Sequence, residues 1–202
     1  MSHYWAKFLF VNGETFRIDT RIYLKDINDP CVGAIIGKNP GSAKPFGLSG
    51  QLQPINLDND KLLPTVRNII KKAYLVAQVP LPDRGFIQVL NLFYLCNKTV
   101  FDAIAAIKKV AEPPRCNSEC GVFPWAWYVW GGSSDLKSFK KHFPKINANY
   151  HFYFDNSDKK VKDWMPNCYE FARHTQGLKQ EYVIPHIAKI IANGFVQPKS
   201  QA

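Results

Sequence analysis

The stretch Cys31-Val32-Gly33-Ala34-Ile35-Ile36-Gly37-Lys38-Asn39-Pro40-Gly41-Ser42 changes character part-way along. Its first seven residues are apolar or glycine, the continuous run expected of a strand buried on both faces of a sheet. The chain then breaks at Lys38. Pro40 has no N–H for a ladder and Gly41 tolerates unusual dihedrals, so Asn39 is expected on a tight turn with its amide beyond the strand end. In open α/β sheets that is where ligands bind. The same residues also suit a plain strand-to-loop turn.

On the N-terminal side, Phe8 to Val11 and Thr15 to Ile18 flank Asn12-Gly13, a strong two-residue turn signal, and read as a hairpin. On the other side, Ala43 to Asp60 reads as a long polar loop of the kind that carries function. Apolar spacing predicts a helix over Leu62 to Val79, a strand at Phe86 to Leu90 and a helix over Val100 to Val110. An aromatic strand at Phe123 to Trp130 follows, then a Gly131-Gly132 turn and a basic helix from Asp135 to Phe143. Tyr150 to Phe154 alternates like a strand. Tyr169 to Arg173 reads as the last core strand, delivering His174, before a helix from Tyr182 to Asn193. Strands and helices in alternation mark a parallel sheet with crossovers.

The 202 residues suit one domain, 1–202, and 46% hydrophobic content supplies a substantial core. Lysine and arginine number 26 against 16 aspartate and glutamate, a formal charge of +10 that favours polyanions such as nucleic acid. No apolar run is long enough for a membrane span, and the N-terminus does not read as a signal peptide, so a soluble intracellular protein is expected. The odd, scattered set Cys31, Cys96, Cys116, Cys120 and Cys168 does not read as a disulfide framework, and reduced thiols without a metal are expected.

Four strand ends are thus expected to present Asn39, Asn91, Gly131-Gly132 and His174. Two amides, a glycine turn and a histidine can hydrogen-bond a neutral planar heterocycle, and no pair of carboxylates or Ser-His-Asp order accompanies them. In their order, Gly37-Lys38-Asn39-Pro40-Gly41, Asn91 with Phe93, Trp130-Gly131 and His174-Thr175-Gln176-Gly177-Leu178 resemble the motifs of the uracil-DNA glycosylase superfamily. The pattern is also similar to an uncharacterised bacterial family with Asn-Pro-Ser, Asp…Thr-x-x-Arg and Asn-Leu-Phe motifs: Asn91-Leu92-Phe93 matches the last, and Asp60, Thr65 and Arg67 correspond to the second with one residue rather than two between Thr65 and Arg67.

The resemblance implies a three-layer α/β/α sandwich with a central four-stranded parallel sheet, to which the hairpin is added at the N-terminus. It implies a DNA glycosylase that hydrolyses the N-glycosidic bond of a flipped-out uracil or other damaged base, without metal or cofactor. Asn39 would direct the attacking water and His174 would stabilise the departing base. Gly37, Pro40, Gly41, Ser42, Phe46, Asn91, Phe93, Gly131 and Gly132 would line the substrate pocket, with Asn91 reading the base edge and Phe46 stacking on it. Lys38, Lys44, Lys137, Lys140, Lys141 and Leu178 would contact DNA, single- or double-stranded. The expected protein is a monomer, cytoplasmic or nucleoid-associated. A non-catalytic nucleic-acid-binding protein, or a hydrolase of free nucleosides or nucleotides, is the alternative.

Overall fold

The computed structural model describes residues 2–41, 43–45, 47, 50–58 and 60–194. Strands β1 (Tyr4–Val11) and β2 (Glu14–Tyr23) form an antiparallel hairpin, turned by Asn12 and Gly13 with φ of 52° and 79°. Positive φ at both turn residues is what a type I′ hairpin turn requires. Next come β3 (Asp26–Gly37), β4 (Lys44–Pro45), β5 (Gln53–Asn56), α1 (Leu62–Val76), β6 (Arg84–Asn91) and α2 (Val100–Ile107). The chain continues through β7 (Val122–Tyr128), α3 (Lys137–His142), β8 (Asn147–Asp155), β9 (Lys160–Lys162) and α4 (Ile184–Ala192).

Among the described residues these strands form one nine-stranded sheet in the order β4-β5-β1-β2-β6-β3-β7-β8-β9. This corrects the expected architecture, a three-layer sandwich about a four-stranded parallel sheet. The sheet is mixed: five of its eight neighbouring pairs are antiparallel, and only β3–β6, β3–β7 and β7–β8 are parallel. The hairpin is no appendage, because β2 pairs with β6 from Thr20↔Val89 to Tyr23↔Phe86. Residues read as loop contribute β4 and β5. Tyr169 to Arg173 is not a core strand; only Ala172 makes isolated bridges, to Gly131 and to Asp155.

Side chains divide between two cores according to the alternation of the strands. Ile35, Ile87, Val89, Trp125, Trp127 and Phe152 meet α1 and α4 on one face. Ala34, Ile36, Leu90, Ala126, Tyr128 and Tyr153 meet α2 on the other, with Leu136 and Phe143. Gly33, mid-strand in β3, leaves room for the Trp125 indole: a Cβ there would stand 2.0 Å from the ring. Helix α1 buries Leu63, Val66, Ile69, Ile70, Ala73 and Tyr74, the three-and-four spacing of an amphipathic helix. Thr99 caps α2, its hydroxyl accepting from the Asp102 N–H at 3.2 Å.

Because β3, β6, β7 and β8 run parallel, their carboxyl ends share one edge, where Lys38 to Gly41, Leu92 to Cys96 and Val129 to Ser133 emerge. The Ala172 bridges bring His174 to that edge as well.

Candidate functional site

At the end of β3 the turn is held from within. Asn39 is 8% exposed, and its Nδ2 donates to the Pro40 carbonyl at 2.9 Å and to the Asn97 carbonyl at 3.1 Å. Both amide protons are therefore spent, leaving Oδ1 as the group available to a ligand or water. One strand over, Asn91 is 1% exposed, with neither Nδ2 nor Oδ1 partnered by protein. A Cβ at Gly37 would stand 2.8 Å from Asn91 Oδ1, so the glycine makes room for the amide. An unpaired buried amide is costly, and such groups recur where a ligand or ordered water completes them.

Alongside lies a cleft of about 280 Å³, lined by Lys38, Gly131, Gly132, Arg173 and His174 and walled by Phe101, Trp130 and Phe171. Gly131 has a φ of 78°, its N–H donates to the Ala172 carbonyl at 2.8 Å, and its own carbonyl accepts from Lys140 Nζ at 2.7 Å. Gly132 lies under the Phe171 ring, where a Cβ would come within 2.6 Å. The two glycines therefore have separate reasons: one for its backbone angle, the other for close approach.

His174 is the main titratable group of the cleft. Burial, assisted by the positive charges of Lys38 and Arg173 and opposed by Asp60, pushes its pKa down to about 4, so the ring is neutral at physiological pH. The Gln176 N–H donates to Nδ1 at 3.2 Å, which puts the single ring proton on Nε2. Lys38, beside it, is also lowered by burial.

The cleft thus unites Lys38, Gly131, Gly132 and His174, while Asn39 and Asn91 stand at the same sheet edge but not on its wall. Gly41 faces a second cavity of about 460 Å³ with Phe10, Thr15, Cys96 and Asn97. Pro40 is buried, its carbonyl taken by the Asn39 amide and the Asn97 N–H. Three expectations are corrected by burial. Phe93 packs in the core against Phe139, ring centroids 4.7 Å apart, rather than against substrate. Leu178 is buried in the core with α4 and has no free side chain to insert into DNA. Lys140 is buried with its ammonium on the Gly131 carbonyl, so it shapes the turn instead of meeting phosphate. Lys137 and Lys141 are exposed. Ser42, Phe46 and the side chain of Lys44 lie outside the described residues.

Arg173, Phe171 and Phe101 escaped the sequence reading. The first two lie in a segment read as a core strand, and Phe101 falls on the exposed side of α2. Arg67 donates to the Tyr23 and Leu24 carbonyls and is structural. No group of three or more His, Cys, Asp or Glu among the described residues is placed to hold a metal ion, and no described helix is long and apolar enough to cross a membrane. Comparison with protein-family models, with curated proteins and with solved structures gave no match.

Proposed function

We propose that the chain is a base-removing hydrolase that takes a flipped-out base of DNA into the cleft and cleaves its N-glycosidic bond. The observation that carries this reading is His174: neutral, with its proton on Nε2, at the wall of a cleft that also presents Phe101, Trp130, Phe171, Lys38 and Arg173, with one carboxylate, Asp135, in its lining. When the bond between the sugar C1′ and the base nitrogen breaks, its electron pair departs with the base. A preorganised N–H donor and a nearby ammonium stabilise that anion most where water is scarce, and a neutral imidazole meets this need as donor without protonating the base outright. Water then adds to C1′ and releases its proton to solvent. Asn39 offers that water only an acceptor oxygen, because its amide protons are spent on Pro40 and Asn97. An amide is a weak base, so it orients water rather than deprotonating it, and turnover on this scheme is slow. Asn91 keeps both donor and acceptor unspent, the complement a base edge needs, but it lies behind the cleft wall, so on this scheme the wall must shift when a base enters.

A second reading rests on the depth of Asn39: with its side chain almost wholly buried, the protein binds nucleic acid without cleaving it. Oligonucleotides carrying uracil, hypoxanthine, xanthine or a mismatch, assayed for abasic sites, separate the two. Base release that slows about 10²- to 10³-fold in His174→Ala supports the hydrolase, by analogy with loss of one preorganised donor. Binding without release from any oligonucleotide supports the second reading. Release from free nucleosides alone would move the substrate to small molecules.

A further inference from the structure

Large aromatic side chains stand exposed at the cleft rim and along the segment that leads to it. Phe101, on its rim, is 78% exposed; Tyr169, two residues before the cleft-lining Phe171, is also 78% exposed; and Trp164 is 51% exposed. Each of the last two carries a lysine on its ring: Lys137 Nζ lies 4.3 Å from the Tyr169 centroid and Lys162 Nζ 5.5 Å from that of Trp164. Lys137 directly follows Leu136 of the cleft lining, so the first pair sits at the cleft mouth. One network ties the second pair to the first. Glu170 accepts from the Trp164 indole N–H at 3.3 Å and from the Asn167 N–H at 2.6 Å, and Asn167 Oδ1 accepts from the Tyr169 N–H at 2.8 Å. Of the carboxylates nearby, Glu170 is engaged in that network, Asp158 with Lys162, Asp163 with His186 and Asp102 with the Thr99 hydroxyl, while Asp135 in the cleft lining accepts from the Ser133 hydroxyl at 3.4 Å and stays an exposed negative charge.

We propose that Trp164, Tyr169 and Phe101 form a stacking track that leads a single strand of DNA to the cleft, with Lys137 beside its phosphates and Lys162, paired with Asp158, on the Trp164 ring. Duplex DNA hides its base faces, whereas a single strand offers a π-face at every nucleotide. Aromatic platforms interleaved with cations are the general means of holding one without regard to sequence. The net charge of +10 supplies the complementary field. The choice of DNA over RNA rests on the base-removal reading; the track itself does not.

The test uses an unmodified oligothymidine of roughly 15 nucleotides, the upper range of a single-domain site, so that binding is read without base release. Trp125, Trp127 and Trp130 are fully buried and Trp5 is half-buried, so Trp164 is the tryptophan most open to iodide. The single strand should protect tryptophan fluorescence from iodide quenching and bind more tightly than a duplex of equal length. Trp164→Ala and Tyr169→Ala should each weaken binding about 5- to 150-fold, the range of one lost base stack, while Trp164→Phe and Tyr169→Phe retain most of it. Both residues are exposed, so these variants should fold. Tighter binding of the duplex, or equal binding by both alanine variants, would overturn the track. Tighter binding of the matching oligoribonucleotide would overturn the assignment to DNA. Absence of base release with this pattern intact would sink only the hydrolase.

Discussion

Both terminal guanidinium nitrogens of Arg17 reach one oxygen of Asp60, Oδ2, at 3.2 Å, in the interior below the turn that follows β3. The other carboxylate oxygen accepts from the Leu62 N–H at 3.0 Å, at the start of α1, where the helix dipole also favours a negative charge. Gly41 packs over the pair: a Cβ there would lie 3.6 Å from Asp60 Oδ2. This ion pair joins β2, the β3 turn and α1 beneath the candidate site.

Asp60→Ala should therefore lower stability by about 3–5 kcal/mol in urea unfolding, because it strands a buried guanidinium. The double replacement Arg17→Met with Asp60→Leu should recover most of that loss, since an apolar pair of similar volume avoids the desolvation cost of both charges. If Asp60→Ala costs less than about 1 kcal/mol, the range of exposed pairs, water reaches the pair in solution.

The histidines set the response to acid. Burial lowers the pKa of His174 to about 4, and burial also lowers His3, His151 and His186 below the ordinary value of 6.5. A group that binds its proton less readily when folded destabilises the fold as pH drops below its unfolded pKa. The stability these residues confer is thus complete above about pH 6.5 and declines as pH falls toward 4. Urea midpoints at pH 7.5 and 5 should differ in that direction, and the His174 ring should titrate near 4 by NMR. A His174 midpoint near 6.5 would mean a hydrated, cationic ring and would remove the neutral donor from the proposed mechanism.

How far the site was legible follows from these particulars. The buried strand of β3 and the break after Gly37 could be read because a run of apolar residues and a Pro-Gly pair act locally. The Asn12-Gly13 hairpin is local too. That β2 would pair with β6 was not legible, since pairing between strands far apart in sequence depends on the whole sheet. The segment around Phe171 misled for a related reason: its apolar and aromatic residues suit a strand, yet they line a cleft instead of a ladder. Lys140 carried a surface residue's composition into an interior position, where the Gly131 carbonyl and the Trp130 ring receive its ammonium.

Lys140 and Lys141, neighbours on α3, should therefore behave differently. Lys140→Ala removes the donor to the Gly131 carbonyl and should destabilise the fold by about 1–3 kcal/mol, the cost of an unsatisfied buried acceptor. Lys141→Ala should leave stability within about 0.5 kcal/mol. If DNA is bound across this face, Lys141→Ala should lower the dependence of log affinity on log salt by roughly 0.7 to 0.9, one phosphate contact. Equal unfolding midpoints for the two variants would contradict the buried position of Lys140.

Asn91 gives the sharpest separation of stability from function. Its amide is buried without a protein partner, so the fold gains nothing from its polarity and bears its desolvation. Asn91→Leu, of similar volume, should leave stability unchanged or raise it by up to about 1 kcal/mol, whereas a partnered buried amide would cost about 1–3 kcal/mol on removal. The same variant should lose base recognition, while Asn91→Asp, which exchanges a donor for an acceptor, should weaken or redirect the choice of base. Gly37→Ala approaches the problem from the other side. Its Cβ would stand 2.8 Å from Asn91 Oδ1, so it should both destabilise the protein and displace the amide. Combining Gly37→Ala with Asn91→Ala should restore part of the stability but none of the recognition, a non-additive outcome expected only of side chains in contact. Should Asn91→Leu unfold the protein while every base is still released normally by Asn91→Asp, the amide belongs to the scaffold, and recognition must be sought along the wall of Lys38, Arg173 and His174.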